Sequence, residues 1–442
     1  MKGVALIASM MVPLALAAET ESALRGEPVF EQSARLTASD AGDLHLFGTD
    51  VDKLGSTALV GAQGAEAAYV FFYDEGGGQW IEEAVLTPSD GHEGDRFGTS
   101  VALGAGGDLA IVGAMEADVD STAKQGAAYV FAREIRSGGR GAWVEVQKLS
   151  ASGAPGDRFG TSVSASAQSY DVLLVGAPSR TVSGDSERGA AFLFGLAGNQ
   201  YELITMIQAS DGAAGDRFGF STALSDDPLQ INGYALVGAH FASVADDEER
   251  GAAYVFHRDP GSGLWNEDAR LIDTDGQAGA LFGSSLDVSG DGSVAVIGAA
   301  NGGSTGEGLV VIYEEDFAGW AQHGRYSGLD AMGAPNSVGI DSAGETVLAG
   351  GAEESVSGDG NRGAAAVLRA HPEHGWAAVA EVGIALIEAA DGAAGDRFGA
   401  ACALDGNRLV AAAPFVDDEG VNSGAVYLFR ENLDLVFADR FE

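Results

Sequence analysis

Aspartates recur along this chain at a fixed distance before a Phe-Gly pair. The fullest form runs from Ala209 to Gly219 (ASDGAAGDRFG), with Asp211 and Asp216 five residues apart across a glycine-rich turn. Asp391 and Asp396 repeat it, Asp90 and Asp95 repeat it with a different filling, and Asp157, Asp273 and Asp275 stand in related loops. Carboxylates are hard oxygen ligands, and calcium takes about six to eight such oxygens. Two of them plus exposed carbonyls could supply part of a shell. The same side chains accept backbone amide hydrogen bonds in turns, and the arginine that follows can pair with a neighbouring carboxylate. The residue types leave both roles open. A second acidic set comprises Glu187, Asp246, Asp247, Glu248, Glu249 and Asp359, in loops of variable length. Variable loops on a rigid scaffold are where binding resides, so this set could ring a calcium ion or a cationic ligand. A solvated acidic face with no partner is the competing reading.

Other chemistry has less to build on. The seven histidines form no HExxH pattern, and neither a GxSxG elbow nor a Walker loop occurs. Acidic pairs abound in a chain of net charge −41, so spacing alone nominates no general acid and base. Cys402 is the only cysteine, which excludes an intrachain disulfide. It stands four residues after Phe398, where Val101 and Val163 stand in other copies, and reads as a small buried hydrophobe. With 65 acidic and 24 basic residues the protein repels phosphate backbones and anionic headgroups, which argues against nucleic acid as a partner.

The elements that position these residues follow from the repeat itself. Phe-Gly occurs at Phe47, Phe97, Phe159, Phe218, Phe282 and Phe398, and Val338-Gly339 fills the one gap, giving seven units about 60 residues apart with the sixth degenerate. Each unit then offers an apolar run ending in small residues, such as Ala110 to Ala114 (AIVGA) or Leu173 to Pro178 (LLVGAP). A third run turns aromatic or β-branched, as in Gly126 to Phe131, and a polar-leaning fourth, as in Trp143 to Leu149, leads into the next unit. In the sixth unit Trp376 to Ile387 supplies this fourth run. All are too short and too glycine-broken for helices. Four strands per unit is the blade of a propeller. Phe30 to Leu36 precedes the first Phe-Gly with no unit before it, while the last unit ends after Phe429. The expected fold is therefore an all-β, seven-bladed β-propeller of four-stranded antiparallel blades over residues 30–430, closed by the N-terminal strand. Closure removes the unpaired edges of an open array.

Flanking the propeller, residues 1–17 read as a signal peptide: Lys2, an apolar stretch from Val4 to Leu16, and Ala15-Leu16-Ala17 as cleavage site. Residues 431–442 read as a tail. No later run reaches the roughly 18 apolar residues of a spanning helix, so an exported soluble product in the periplasm, on the surface or outside the cell is expected.

The alternation of Phe-Gly with Gly-Ala-Pro, as in Phe159-Gly160 followed by Gly176-Ala177-Pro178, resembles the FG-GAP repeat family, whose best-known members are the N-terminal propellers of integrin α subunits. The ASDGAAGDRFG unit resembles bacterial secreted members, and Leu435 to Glu442 resembles a short C-terminal tail of exported Gram-negative proteins. The resemblance implies a seven-bladed propeller, calcium in blade loops, and roles in adhesion or ligand recognition. The integrin-like calcium loop, with three oxygens at alternate positions before a glycine, is present only in fragments: Asp118 and Asp120, or Asp273 and Asp275. The preferred expectation is a monomeric, non-catalytic exported propeller for protein or glycan recognition, with calcium as its one expected cofactor. A cell-envelope scaffold without a diffusible ligand and a hydrolase with acidic residues at one channel mouth are the alternatives.

Overall fold

Strands that alternate with glycine turns and are apolar on both faces must stack sheet against sheet. A computed structural model shows seven four-stranded antiparallel sheets, six of them up-and-down meanders and the seventh a three-stranded meander completed by the N-terminal strand. It describes residues 30–432 apart from 135–140, 227–232, 246, 304–305, 307, 328–336, 354, 356–359, 372–374 and 377–381. Residues 1–17, expected as a signal peptide, nearly all of the expected tail, Asp246 and Asp359 thus lie outside the described residues. The innermost strands are Val51–Leu54, Phe97–Gly104, Val163–Ala165, Ser221–Leu224, Phe282–Val288, Val338–Ile340 and Cys402–Asp405. They touch one another in sequence, and the last touches the first, so the ring closes. The outermost strands are Gln79–Leu86, Trp143–Leu149, Gln200–Ile207, Trp265–Leu271, Gly319–Ser327, Gly383–Ile387 and, for blade 7, Phe30–Leu36. Phe30 pairs with Glu431 and Leu36 with Val426, so the N-terminal strand completes the last blade and Glu431 belongs to it rather than to the tail.

Both glycine motifs have a steric cause. A Cβ on Gly113 would lie 2.1 Å from the carbonyl oxygen of Gly160, and one on Gly176 would lie 2.0 Å from that of Gly219. In blades 1 to 4 and 6 the glycine near the end of the second strand therefore touches the Phe-Gly glycine of the next blade, and in blade 7 Ala412 takes its place against Gly48. The Phe-Gly glycine adopts φ of +86° at Gly160 and +94° at Gly219, where a side chain is strained. The phenylalanine fills the wedge between sheets. Phe97 is fully buried, meets Tyr129 and Phe131 edge-on at 5.5 and 6.1 Å, and shares a cluster with Leu59 and Val70 of the preceding blade.

The sixth copy departs from the sequence reading. Val338 pairs with Ala349 as Val163 pairs with Val175, so Val338-Gly339 lies inside the innermost strand and is not the Phe-Gly anchor. Gly339 also lacks the positive φ of the other anchors. By register the anchor positions are 334 and 335, outside the described residues. The outer strand of blade 6 is likewise shorter than Trp376 to Ile387. It spans Gly383–Ile387, while Trp376 is buried and donates its Nε1 to the Gly344 carbonyl at 2.8 Å.

Candidate functional site

In a meander, the loops that enter each blade and those between its second and third strands share one face. The repeated aspartates sit there. The first carboxylate of each entering loop is tied to the third and outer strands of its own blade. Asp90 accepts from the Tyr129 hydroxyl at 2.8 Å and from Lys148 Nζ at 2.7 Å. Asp211 accepts from Tyr254 at 2.8 Å and from Arg270 at 2.7 Å. Asp40 takes Tyr69 at 2.7 Å, and Asp391 takes Arg35 at 3.2 Å. The cation also lies over the tyrosine ring, at 5.2 Å for Lys148 and 5.8 Å for Arg270. Blade 3 replaces all three residues, with Ser152, Phe192 and Met206, whereas blade 1 keeps Asp40 and Tyr69 with Val85 at the position of the cation. In blade 5, Val311 stands at the tyrosine position, Asp275 is exposed, and Arg325 turns instead to the buried Asp273 at 3.1 Å.

The second carboxylate closes its own turn. Asp95, Asp157, Asp216 and Asp396 are buried and accept the amides of His92, Ala154, Ala213 and Ala393 at 2.7–3.0 Å. Burial holds Asp216 and Asp396 above the usual carboxylate range, against the amide bond that lowers them. Asp157 also takes Arg180 at 2.9 Å.

The acidic loops between second and third strands act as clamps on the next blade. Glu187 accepts the Arg217 amide on its backbone carbonyl at 3.0 Å, and its carboxylate holds the Arg217 side chain at 2.8 Å. The carbonyls of Glu248 and Glu249 take the amides of Gly279 and Leu281, and Asp247 pairs with Arg250. Blade 1 has a shorter loop, and there the Glu66 side chain replaces the missing carbonyls, accepting Gly94, Arg96 and Phe97 at 2.7–3.1 Å. Glu66 was not singled out from the sequence; its signal was the short loop between Ala62 and Ala67.

The innermost strands enclose a channel of about 680 Å³. Its wall is stitched blade to blade by residues just after each Phe-Gly. Ser100, Ser162 and Ser221 donate to the carbonyls of Gly160, Gly219 and Gly283 at 2.8–3.0 Å. Asp50, Asp52 and Asp287 instead accept the amides of Val101, Leu103 and Ile340, and each uses its other oxygen on its own strand. Desolvation pushes Asp50 and Asp287 up to about 7 and Asp52 up to about 6, although the amide bonds pull the other way. At the closing seam the buried Lys53 meets Asp405 at 3.0 Å. These hydroxyls were not singled out from the sequence, although their recurrence two residues after Phe-Gly is the signal that marks them.

Calcium requires several free oxygens aimed at one point. The first and second carboxylates of each full loop are engaged by different donors, and among the described residues no three His, Cys, Asp or Glu side chains group as a metal site. The described loop carboxylates therefore do not by themselves assemble a calcium shell.

Copies in register, with Phe-Gly and Gly-Ala glycines in contact at five blade boundaries among the described residues, are a family signature, and a family model described as the FG-GAP repeat matches residues 30–71, 80–131, 143–194, 202–256, 265–312 and 383–429. The chain belongs to the FG-GAP repeat family. Each matched segment runs from an outer strand through three strands of the following blade, so the family unit straddles the blade boundary. The unmatched stretch between 312 and 383 holds the degenerate sixth FG-GAP copy. No curated protein matches the chain. Among the described residues no helix is long and apolar enough to cross a membrane.

Proposed function

We propose that this protein is a non-catalytic, exported propeller whose loop face recognises a protein or glycan ligand. The observation that carries the reading is the division of labour between regular and irregular parts. Blade-to-blade hydrogen bonds and glycine contacts make the ring rigid, while the second-to-third loops differ in length and residue type on one common face. Recognition gains from loops ordered before binding, since less conformational entropy is lost. A hydrolase would have to use the raised Asp50, Asp52 and Asp287 of the channel. Both oxygens of each are held by backbone amides, which is the arrangement of a strand-edge cap rather than of a general acid facing substrate. The test is a screen of the secreted form against a glycan array and envelope or host protein extracts, with a variant carrying Gly-Ser replacements of residues 116–124 and 180–186. Saturable binding lost in the variant supports the proposal. Binding that survives it, or turnover of a polysaccharide abolished by Asp52→Ala, overturns it.

A further inference from the structure

The upper mouth of the channel differs from the rest of this acidic protein. On the side of blades 1 to 3, the Glu116 carboxylate is surrounded by three cations: Lys124 at 2.9 Å on one oxygen, and Arg96 and Arg158 both at 3.9 Å from the other. The neighbouring Glu66 and Asp118 carboxylates are taken up by backbone amides, so Arg96 and Arg158 are only loosely paired, and both arginines are nearly half exposed. By contrast Arg217 is closely paired, at 2.8 Å to Glu187. Arg96 reaches the channel lining beside Gln63, Thr99 and Thr161, whose hydroxyl and amide groups can exchange hydrogen bonds with a polyol.

Phe220 lines the same channel and is the one aromatic residue among its described lining residues. It is braced from behind by a stack. The His240 ring lies 3.8 Å from Phe220 and 4.1 Å from Phe241, and the Arg217 guanidinium lies 4.7 Å from Phe241. His240 is buried and its Nδ1 has no hydrogen-bond partner. Burial, with Arg217 nearby, lowers its pKa to about 4, so the stack carries a neutral imidazole.

A flat apolar ring, a row of hydroxyl and amide groups and an under-neutralised arginine around one cavity are complementary to a pyranose that carries a carboxylate. From this geometry we propose that the upper channel mouth binds the terminal acidic sugar of a glycan, with the sugar face on Phe220 and its carboxylate on Arg96. The inference rests on the glycan branch of the proposed function. The channel as a whole, of about 680 Å³, lies within the usual range for small-ligand sites. A net charge of −41 disfavours long polyanions, so the fitting ligand presents an isolated carboxylate on a neutral chain.

The test is saturation-transfer NMR and titration of the folded chain with the methyl glycosides of glucuronic, galacturonic and N-acetylneuraminic acid, each beside a neutral counterpart. At least one acidic glycoside should bind more tightly than its counterpart, and this preference should weaken with salt. Arg96→Gln should cost tenfold or more in affinity for it, and Phe220→Ala should abolish transfer to the sugar ring protons. Asp74→Asn, in a hairpin at the opposite face, should change neither. Circular dichroism and melting of each variant separate lost binding from lost fold. Equal binding of acidic and neutral glycosides, no binding of any, or an Arg96→Gln variant that binds the acidic glycoside unchanged would overturn the inference. Capture of a protein or neutral glycan on the loop face alongside such a result leaves the broader proposal standing, whereas no ligand of any class fails both.

Discussion

The Asp-Tyr-cation unit can be dissected by using blade 3 as the template for its removal. In blade 2 the unit is Asp90, Tyr129 and Lys148, joined at 2.8 and 2.7 Å with the ammonium 5.2 Å over the ring. Tyr129→Phe deletes one hydrogen bond to a charged acceptor, which contributes about 1.5–3 kcal/mol when shielded. Asp90 is about half exposed, with 53% of its side chain open to solvent, so about 1 kcal/mol is the expected cost. Asp90→Ser alone leaves the phenol without its acceptor and the lysine without its partner, again about 1 kcal/mol. The triple change Asp90→Ser, Tyr129→Phe, Lys148→Met copies what blade 3 carries and removes every polar member together. Its cost should fall well below the sum of the single changes, with a coupling of about 1 kcal/mol. Urea unfolding of the three single variants, the doubles and the triple, with coincident probes to verify two-state behaviour, measures this. Strict additivity would refute the claim that the loop aspartate is a packing element. A loss of calcium uptake in Asp90→Ser would show that it had been a ligand.

The remaining expectations follow from the same geometry. Melting with calcium and then with excess chelator should leave Tm unchanged; a rise of several degrees with stoichiometric uptake would contradict the reading of the loops. Gly176→Ala should cost about 3 kcal/mol or more, because its Cβ would meet Gly219 backbone at 2.0 Å. Gly215→Ala, with φ of +90° but nothing within 4 Å, should cost only about 1–2 kcal/mol; chemical denaturation of the pair that ranks them the other way round would sink the contact argument. Glu66→Ala strands the amides of Gly94, Arg96 and Phe97 and should lower stability by about 2–3 kcal/mol, with Glu66→Gln intermediate; a neutral result would mean water replaces the clamp. For Asp50, Asp52 and Asp287 the folded values near 7, 6 and 7 lie above the unfolded carboxylate value of about 3.9. The folded chain therefore retains protons that the unfolded chain has released, and their stabilisation, complete below about pH 4, is lost as pH rises towards 7. Tm should fall between pH 5 and pH 8, less steeply in Asp287→Asn; a rise over that interval, or an unchanged slope in the variant, would exclude this assignment.

The sequence by itself determined the repeat, the strand count, the antiparallel blades and the closure through Phe30 to Leu36. Those features rest on local periodicity, and each is stated several times over by the copies, so one decayed unit does not obscure the rest. The decayed unit is where the reading slipped: with no phenylalanine to align on, Val338-Gly339 looked like an anchor, and only its pairing with Ala349 placed it one step inward. The tertiary structure decided what the acidic residues do. A carboxylate in a glycine turn presents the same letters whether it faces a cation or a tyrosine about 40 residues away, and Asp211 meets Tyr254 only because the sheet folds back. Likewise Glu187, Glu248 and Glu249 hold the next blade, Glu248 and Glu249 through carbonyls that carry no sequence signal while their side chains stay exposed on the loop face. The channel carboxylates and the mouth between Arg96 and Phe220 exist only once seven blades converge, because burial and convergence are properties of the ring and not of any one repeat.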